Sequence, residues 1–541
     1  MPAQALYTLG LDFGTLSVRA LLVDTRDGRA VAEATASYPH GVMDSALPDG
    51  TPLPPRFALQ HPQDYLASMT AAIREALAAA HTAEEITPAD IAALGVDFTA
   101  CTMLPVDGTG TPLCLDPAFA ADPHASVKLW KHHGATCEAD EINSLAAARG
   151  ESWLPSYGGT VSCEWMLPKI LETLRTSPAV FDATYRFTEA ADWFSFVLTG
   201  SETHAAAFAG YKGLWYDGQY PSDEFWSTLD PTLTGLIGGK ISPRVDPVGG
   251  IAGRLNGRGA ALTGLPVGTP VALPRIDAHA ALPALGMTLA GDLTVILGTS
   301  TCHILNAAEA KEVTGICGYV QDGVIPSLCT YEAGQAAVGD LFDWFVKYCV
   351  PAGYTEAARE AGVSIHAYLR SLAEKKAPGE SGIVALDWWN GNRSILVDPT
   401  LTGVITGLTL ATRPEDIYRA LIEATALGTR VIVEQYEAFG IPISRVMAAG
   451  GIARKDPLMM QIYADVLYIP MAVSTATQAG ALGSAVYAAV AGGLYPTVTD
   501  AADAMAAKVE RVYTPNAEAV EAYEGLYRRY RELHDHFGRV S

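Results

Sequence analysis

The sequence predicts an α/β protein built as two similar halves, and three observations carry that expectation. The chain has 541 residues, beyond the size at which a single hydrophobic core keeps growing, so at least two domains are expected. A strand, a Gly-Thr turn and a second strand occupy Thr8–Asp24 (TLGLDFGTLSVRALLVD), and the same pattern returns at Asp292–Asn306 (DLTVILGTSTCHILN). Around both copies, β-rich runs alternate with stretches of helical periodicity, the pattern of helices packed on sheets.

The first hairpin comes from Tyr7–Phe13, an apolar β-compatible run, turned by Gly14-Thr15 and returned by Val18–Asp24. Its turn gathers backbone N–H groups, the hydroxyls of Thr15 and Ser17 and the carboxylate of Asp12 on one patch. Amides and hydroxyls cradle phosphate oxygens, and a nearby carboxylate suits the Mg²⁺ that accompanies them. Taken alone, the segment reads equally as a plain hairpin with a buried aspartate. Arg29–Tyr38 supplies a third strand, Pro39–Pro55 a surface loop, and His61–Ala80 a helix with Tyr65, Met69, Ile73 and Leu77 at spacing four. Ile91–Phe98 is the next strand, ending in Asp97-Phe98-Thr99-Ala100-Cys101, and Val106–Leu113 is a hairpin around Gly-Thr-Gly. In Ser126–Asn143, Trp130 reads as core and Lys131-His132-His133 as a solvated turn, since neither histidine has a carboxylate at metal-ligand spacing.

In the second half, Thr412, Pro414 and Glu415 mark a helix start, and Ile417, Leu421, Ala424, Leu427 and Val431 run down one face. Val446–Ala449 is a short strand delivering Gly450-Gly451, with a helix over Asp456–Leu467. Strand, glycine pair and helix start leave free amides and a positive dipole end for a phosphate. Gln478–Val490 is a small-residue helix expected to pack behind that loop, and Asn516–Phe537 reads as a surface helix without chemistry.

Composition limits the function classes. The net charge is −23 and the pI about 4.9, which argues against nucleic acid and anionic membranes as partners. Phosphate sites are built locally, so the charge does not exclude ATP. Eight scattered cysteines, with no Cys-x-x-Cys pair, read as reduced, mostly buried thiols. No signal peptide is expected, and Ala479–Tyr495, rich in Ala and Gly, reads as a close-packed helix rather than a membrane span. A cytoplasmic protein is expected.

Two strand–Gly-Thr–strand units in one chain resemble the actin/hexokinase/Hsp70-like ATPases. That resemblance implies a two-domain, ribonuclease H-like fold, with a duplicated βββαβαβα core, a central inter-domain cleft holding ATP, and domains at 1–286 and 287–541. Longer segments narrow it. Ser126–Asn143, Glu189–Thr199 (EAADWFSFVLT), Ala209–Trp215 (AGYKGLW), Pro274–Ala280 (PRIDAHA), Gly315–Asp340, Asp387–Arg393 (DWWNGNR) and Ala448–Pro470 resemble, in order, the FGGY carbohydrate kinases and within them the L-ribulokinases.

The resemblance implies ATP-dependent phosphorylation of the terminal primary hydroxyl of a ketopentose, L-ribulose first, with Mg²⁺ as cofactor. By it, Gly14, Thr15 and Ser17 approach the terminal phosphates from one side and Gly298, Thr299 and Ser300 from the other. Gly339, Gly451 and Lys455 line the adenosine end, and Asp12 holds the metal. Arg19 reads either as phosphate neutralisation or as a solvated strand residue. Asp277 is the general base and a sugar contact, with a helix N-cap as its structural alternative. Lys212, Glu332, Trp130, Ala100 and Cys101 are the other sugar contacts. Two departures from the family's usual runs, at Asp97–Thr102 and at Lys131-His132-His133, bear on which sugar is taken. D-ribulose, D-xylulose or another polyol is the alternative substrate, and a conformational ATPase without sugar acceptor the alternative class. The partners implied are the sugar and ATP, without nucleic acid or membrane, and with a homodimer left open.

Overall fold

The computed structural model describes residues 6–538, folded as two compact units. The first unit holds the chain up to Thr288, together with Tyr319–Thr330 and Gln478–Ala507. The second holds Leu289–Gly318, Tyr331–Thr477 and the chain from Lys508.

The first unit is organised on β1 (Tyr7–Phe13), β2 (Ser17–Asp24), β3 (Ala30–Ser37), β4 (Ile91–Phe98), β5 (Ile251–Arg254) and β6 (Pro270–Ala272). Their spatial order is β3-β2-β1-β4-β6-β5, with β1 antiparallel to β2 and parallel to β4. The two central strands carry nearly the same text. Leu9-Gly10-Leu11-Asp12-Phe13 lies residue for residue beside Leu94-Gly95-Val96-Asp97-Phe98. Phe13 and Phe98 stack at 4.3 Å on one side of the sheet, with Phe194 4.7 Å from Phe13.

On the sheet lies the helix Ala479–Ala491 (AGALGSAVYAAVA). A Cβ at Gly10 would stand 1.9 Å from the Ala481 carbonyl oxygen, and one at Gly95 would stand 1.9 Å from that of Ser484. Only a helix of small residues, meeting glycines, can approach this closely. The helix was expected behind the Gly450-Gly451 loop, its neighbour in sequence. It belongs instead to the first unit, because the glycines shaped to receive it lie there. Helix Pro62–Glu84 buries Tyr65, Met69 and Ile73 as their spacing predicts, with Leu77 at the margin. The Val106–Leu113 segment is a turn closed by one bridge, Val106 to Pro112, rather than a ladder.

The second unit repeats the plan with β7 (Asp292–Leu297), β8 (Thr301–Ala307), β9 (Cys329–Gln335), β10 (Arg445–Ala449), β11 (Met471–Ser474) and β12 (Val509–Tyr513). These run in the order β9-β8-β7-β10-β11-β12, with β7 antiparallel to β8 and parallel to β10. The long helix covers Pro414–Ala438, and the Asp416 carboxylate accepts the Arg413 N–H at 2.8 Å. Its start therefore falls one residue beyond the expected Thr412/Glu415 box. Helix Ala517–Phe537 is not a bare surface element. It buries Tyr523, Leu526, Tyr527 and Tyr530, and Arg419 Nη2 donates to the Tyr523 hydroxyl at 3.1 Å. Among the described residues no helix is long and apolar enough to cross a membrane.

Candidate active site

Three carboxylates gather at the strand ends of the first unit. Asp12 is the penultimate residue of β1, and Asp97, beside it in register, is the penultimate residue of β4. Arg275–Ile276 pairs in parallel with Asp97–Phe98 and delivers Asp277 as the first residue of helix Asp277–Ala284. Asp97 is fully buried, Asp12 is 8% exposed and Asp277 half-buried. Burial, then the charge of Asp12 beside it, push the Asp97 carboxyl well above the usual carboxylate range, and Asp277 adds to the push. Ser484 Oγ donates to Asp97 Oδ2 at 2.7 Å and opposes it. Arg19 Nη1 lies 2.8 Å from Asp12 Oδ2, so its charge is already engaged with the carboxylate. The first turn of helix Ala479–Ala491 lies over the pair. A Cβ at Gly480 would be 3.1 Å from Asp12 Oδ2 and 3.3 Å from Asp97 Oδ2, a place where a helix's positive end favours negative charge.

Asp97 was missed as a site residue, although a signal for it was in the chain. Leu-Gly-x-Asp-Phe occurs twice, and the second copy carries Asp97 as its fourth residue. The Asp97 Oδ1 atom is buried without a hydrogen-bond partner. An orphaned carboxylate oxygen beside a second carboxylate is a hard-oxygen donor set, and it fits Mg²⁺.

The tip of the first hairpin is braced from below. Gly14 N–H donates to the Ser17 carbonyl at 3.0 Å. Gln60 Nε2 donates to the Thr15 carbonyl at 2.7 Å, and the Tyr65 hydroxyl donates to Gln60 Oε1 at 2.6 Å. Trp130 is not core. It is 36% exposed, and its indole N–H donates to Thr15 Oγ1 at 3.1 Å. Cys101 is buried, with its thiol pushed up by burial, while Ala100 packs at the edge of the same apolar cluster. Lys169, which sequence reasoning passed over, donates to the carbonyls of Cys101 at 2.7 Å and Leu129 at 2.8 Å. It thereby ties the Ala100-Cys101 turn to the segment bearing Trp130. Lys212 is half-buried, its Nζ 5.5 Å from the centre of the Trp165 ring.

His132 departs from the solvated turn expected of it. It is fully buried, with Nε2 3.0 Å from Glu172 Oε2, and Lys128 Nζ donates to the same oxygen at 2.6 Å. Burial holds the His132 ring down to about 4, against 6.5 ordinarily. Lys128 and His132 together outweigh burial and bring Glu172 down to about 2. His133 is exposed, 2.9 Å from Glu164.

In the second unit, Gly298, Thr299, Ser300, Gly339 and Gly451 meet at the end of β7. Gly298 N–H donates to the Ser300 carbonyl at 3.0 Å, Val338 N–H to Thr299 at 2.9 Å and Gly339 N–H to Gly298 at 3.0 Å. Helix Gly339–Cys349 therefore starts on the hairpin tip. Gly450 has φ 99°, and a Cβ there would meet the Leu297 carbonyl oxygen at 2.3 Å. Only glycine serves at that position. Gly451–Lys455, expected as a loop, is a short helix with Lys455 at its far end. Glu332 lies half-buried on β9, two strands from β7.

The doubled strand–Gly-Thr–strand frame is that of the actin-like ATPase class, and the chain belongs to the FGGY family of carbohydrate kinases. Residues 293–492 match the FGGY family of carbohydrate kinases, C-terminal domain. The ribulokinase of Geobacillus thermodenitrificans (strain NG80-2) is 47% identical over 540 residues, covering 98% of this chain and 95% of that protein. The ribulokinase of Mycolicibacterium smegmatis is 47% identical over 541 residues, covering 99% of this chain and 95% of that one. Among solved structures, the xylulose kinase from Rhodospirillum rubrum superposes with a TM-score of 0.80 at 26% identity, covering 98% of each chain. The fold is the two-domain, actin-like α/β architecture of these kinases, as expected, and the protein is an ATP-using sugar kinase.

Proposed function

We propose that the protein transfers the γ-phosphoryl group of ATP to the terminal primary hydroxyl of L-ribulose, giving L-ribulose 5-phosphate and ADP. The near full-length likeness to ribulokinases supports the substrate. The convergence of Asp12, Asp97 and Asp277 on one edge of the first sheet supports the chemistry.

Phosphoryl transfer is mostly positioning and charge stabilisation. The hydroxyls and remaining amides of Thr15 and Ser17, on the turn that Gly14 opens, serve the terminal phosphates, with Gln60 and Trp130 holding Thr15 in place. From the second hairpin, the hydroxyls and remaining amides of Thr299 and Ser300, on the turn that Gly298 opens, serve the phosphates, and Gly339, Gly451 and Lys455 line the adenosine end. Asp12, with the orphaned oxygen of Asp97, would hold Mg²⁺, which when bound neutralises charge on the phosphate oxygens. Asp277 accepts the sugar's hydroxyl proton as the new P–O bond forms. Lys212 and Glu332 supply the hydroxyl partners that a polyhydroxylated substrate requires, with Trp130 as an apolar wall and Ala100-Cys101 as the pocket floor.

A coupled ADP-release assay across L-ribulose, D-ribulose, L- and D-xylulose and simple polyols tests the assignment. The highest kcat/KM is expected with L-ribulose. A clear preference for another sugar overturns the substrate, and ATP turnover indifferent to every sugar overturns the kinase chemistry in favour of a conformational ATPase.

A further inference from the structure

Behind the first hairpin, where helix Pro62–Glu84 begins, two imidazoles and a carboxylate converge on a point that the kinase chemistry leaves unused. His40 Nδ1 lies 2.9 Å from Asp64 Oδ1, and the His40 backbone N–H donates to Asp64 Oδ2 at 2.9 Å. The rings of His40 and His61 are 5.0 Å apart. One donor atom from each of His40, His61 and Asp64 lies within 4.8 Å of the other two. Asp64 is 4% exposed, and His61 Nδ1 is buried without a partner. A buried nitrogen left unpaired is destabilising. Burial, assisted by His40 and opposed by Asp64, lowers the His61 pKa.

We propose that His40, His61 and Asp64 bind one divalent transition-metal ion of the Zn²⁺ class. Two donors each about 2.0–2.1 Å from a tetrahedral zinc stand roughly 3.3 Å apart. The 2.9 Å His40–Asp64 pair is thus close to ligating separation, and a small swing of the His61 ring completes the set. Two imidazoles with one carboxylate favour zinc and its neighbours over Mg²⁺ or Ca²⁺, which prefer oxygen. Three protein ligands leave the fourth position to water.

The position gives the ion a structural consequence. His40 lies two residues past Tyr38, whose N–H donates to the Leu16 carbonyl at the hairpin tip at 2.9 Å. His61 follows Gln60, whose side chain holds the Thr15 carbonyl at 2.7 Å. The ion would clamp the two ends of the intervening loop and stiffen the support of that tip.

The test uses untagged full-length protein stripped with EDTA. Co²⁺ is titrated by its visible absorption, and Zn²⁺ in competition with a chromophoric chelator. One equivalent is expected to bind and to raise the unfolding temperature. His40→Ala, at an exposed residue, and Asp64→Asn should each weaken binding on the order of 100-fold or more, since even outer-shell partners contribute 10–100-fold. His133→Ala removes a histidine–carboxylate pair that lacks a second imidazole, and should leave the equivalent intact. The proposal is overturned by wild-type protein that takes up no metal, by uptake unchanged in His40→Ala, or by uptake lost in His133→Ala.

Discussion

The two hairpins share a frame and differ in what they present. Each is a strand ending in a glycine turn, paired antiparallel with the strand that follows and parallel with a strand from far along the chain. In the first, Asp12 stands between Arg19 and Asp97. In the second, the residue two before the glycine is Ile296, standing between Cys302 and Ala449. The first turn is also longer. Gly14, Thr15, Leu16 and Ser17 separate the Phe13–Val18 pair, whereas only Gly298, Thr299 and Ser300 separate Leu297 from Thr301. Similar scaffolds thus present different chemistry. The first copy carries Asp12 and stands beside Asp97 and Asp277, groups suited to a metal and a proton, and the second carries only amides, hydroxyls and a crowded glycine junction.

Breaking the first copy should have the largest effect. Asp277→Asn is expected to lower kcat on the order of 10²–10⁴-fold with ATP binding retained, by steady-state kinetics and calorimetry. Near-normal turnover would move the base elsewhere. Asp97→Asn, which keeps shape and removes the second carboxylate, should reduce kcat about 10–100-fold and raise the Mg²⁺ requirement. In the second copy, Gly450→Ala should cost about 1–2 kcal/mol from the left-handed backbone alone, with the Leu297 clash added, read as a lower urea midpoint. An unchanged midpoint would show that the junction is not crowded.

The smallest effect at neutral pH concerns His132. Its folded pKa, about 4, lies below the ordinary 6.5, so the unfolded chain binds the proton first. The stability it contributes is complete above pH 6.5 and is lost as pH falls toward 4. Glu172, at about 2 in the fold against 4.5, adds a loss of the same sign between those values. His132→Asn should flatten the upper part of the slope of unfolding free energy against pH. A slope unchanged in the variant would assign the loss to other groups.

Much of the frame was legible because it is local. Strand and turn chemistry at Tyr7–Asp24 and Asp292–Ala307 is written in adjacent residues, and the periodicity of Tyr65, Met69 and Ile73 marked the face they bury. What was not legible depends on distant partners. Helix Ala479–Ala491 finds its seat on Gly10 and Gly95, hundreds of residues earlier, so its neighbour in sequence was the wrong guide. His132 looked solvated beside Lys131 and His133 until Lys128 and Glu172 closed around it. Trp130 looked like core, and its indole N–H turned out to be the brace of Thr15. Asp97 lay in a repeat readable in the chain, but its significance came from parallel pairing that aligned it with Asp12.

The division of labour itself is tested most directly by measuring kcat and the KM for ATP of Asp12→Asn and Thr299→Ala side by side, at saturating L-ribulose and Mg²⁺. Asp12→Asn should lose kcat by at least about 10-fold. Thr299→Ala should raise the KM for ATP about fivefold, the worth of roughly one hydrogen bond, with kcat unchanged. A Thr299→Ala enzyme that loses kcat as severely as Asp12→Asn, at an unchanged KM, would contradict the assignment of chemistry to the carboxylates of the first unit.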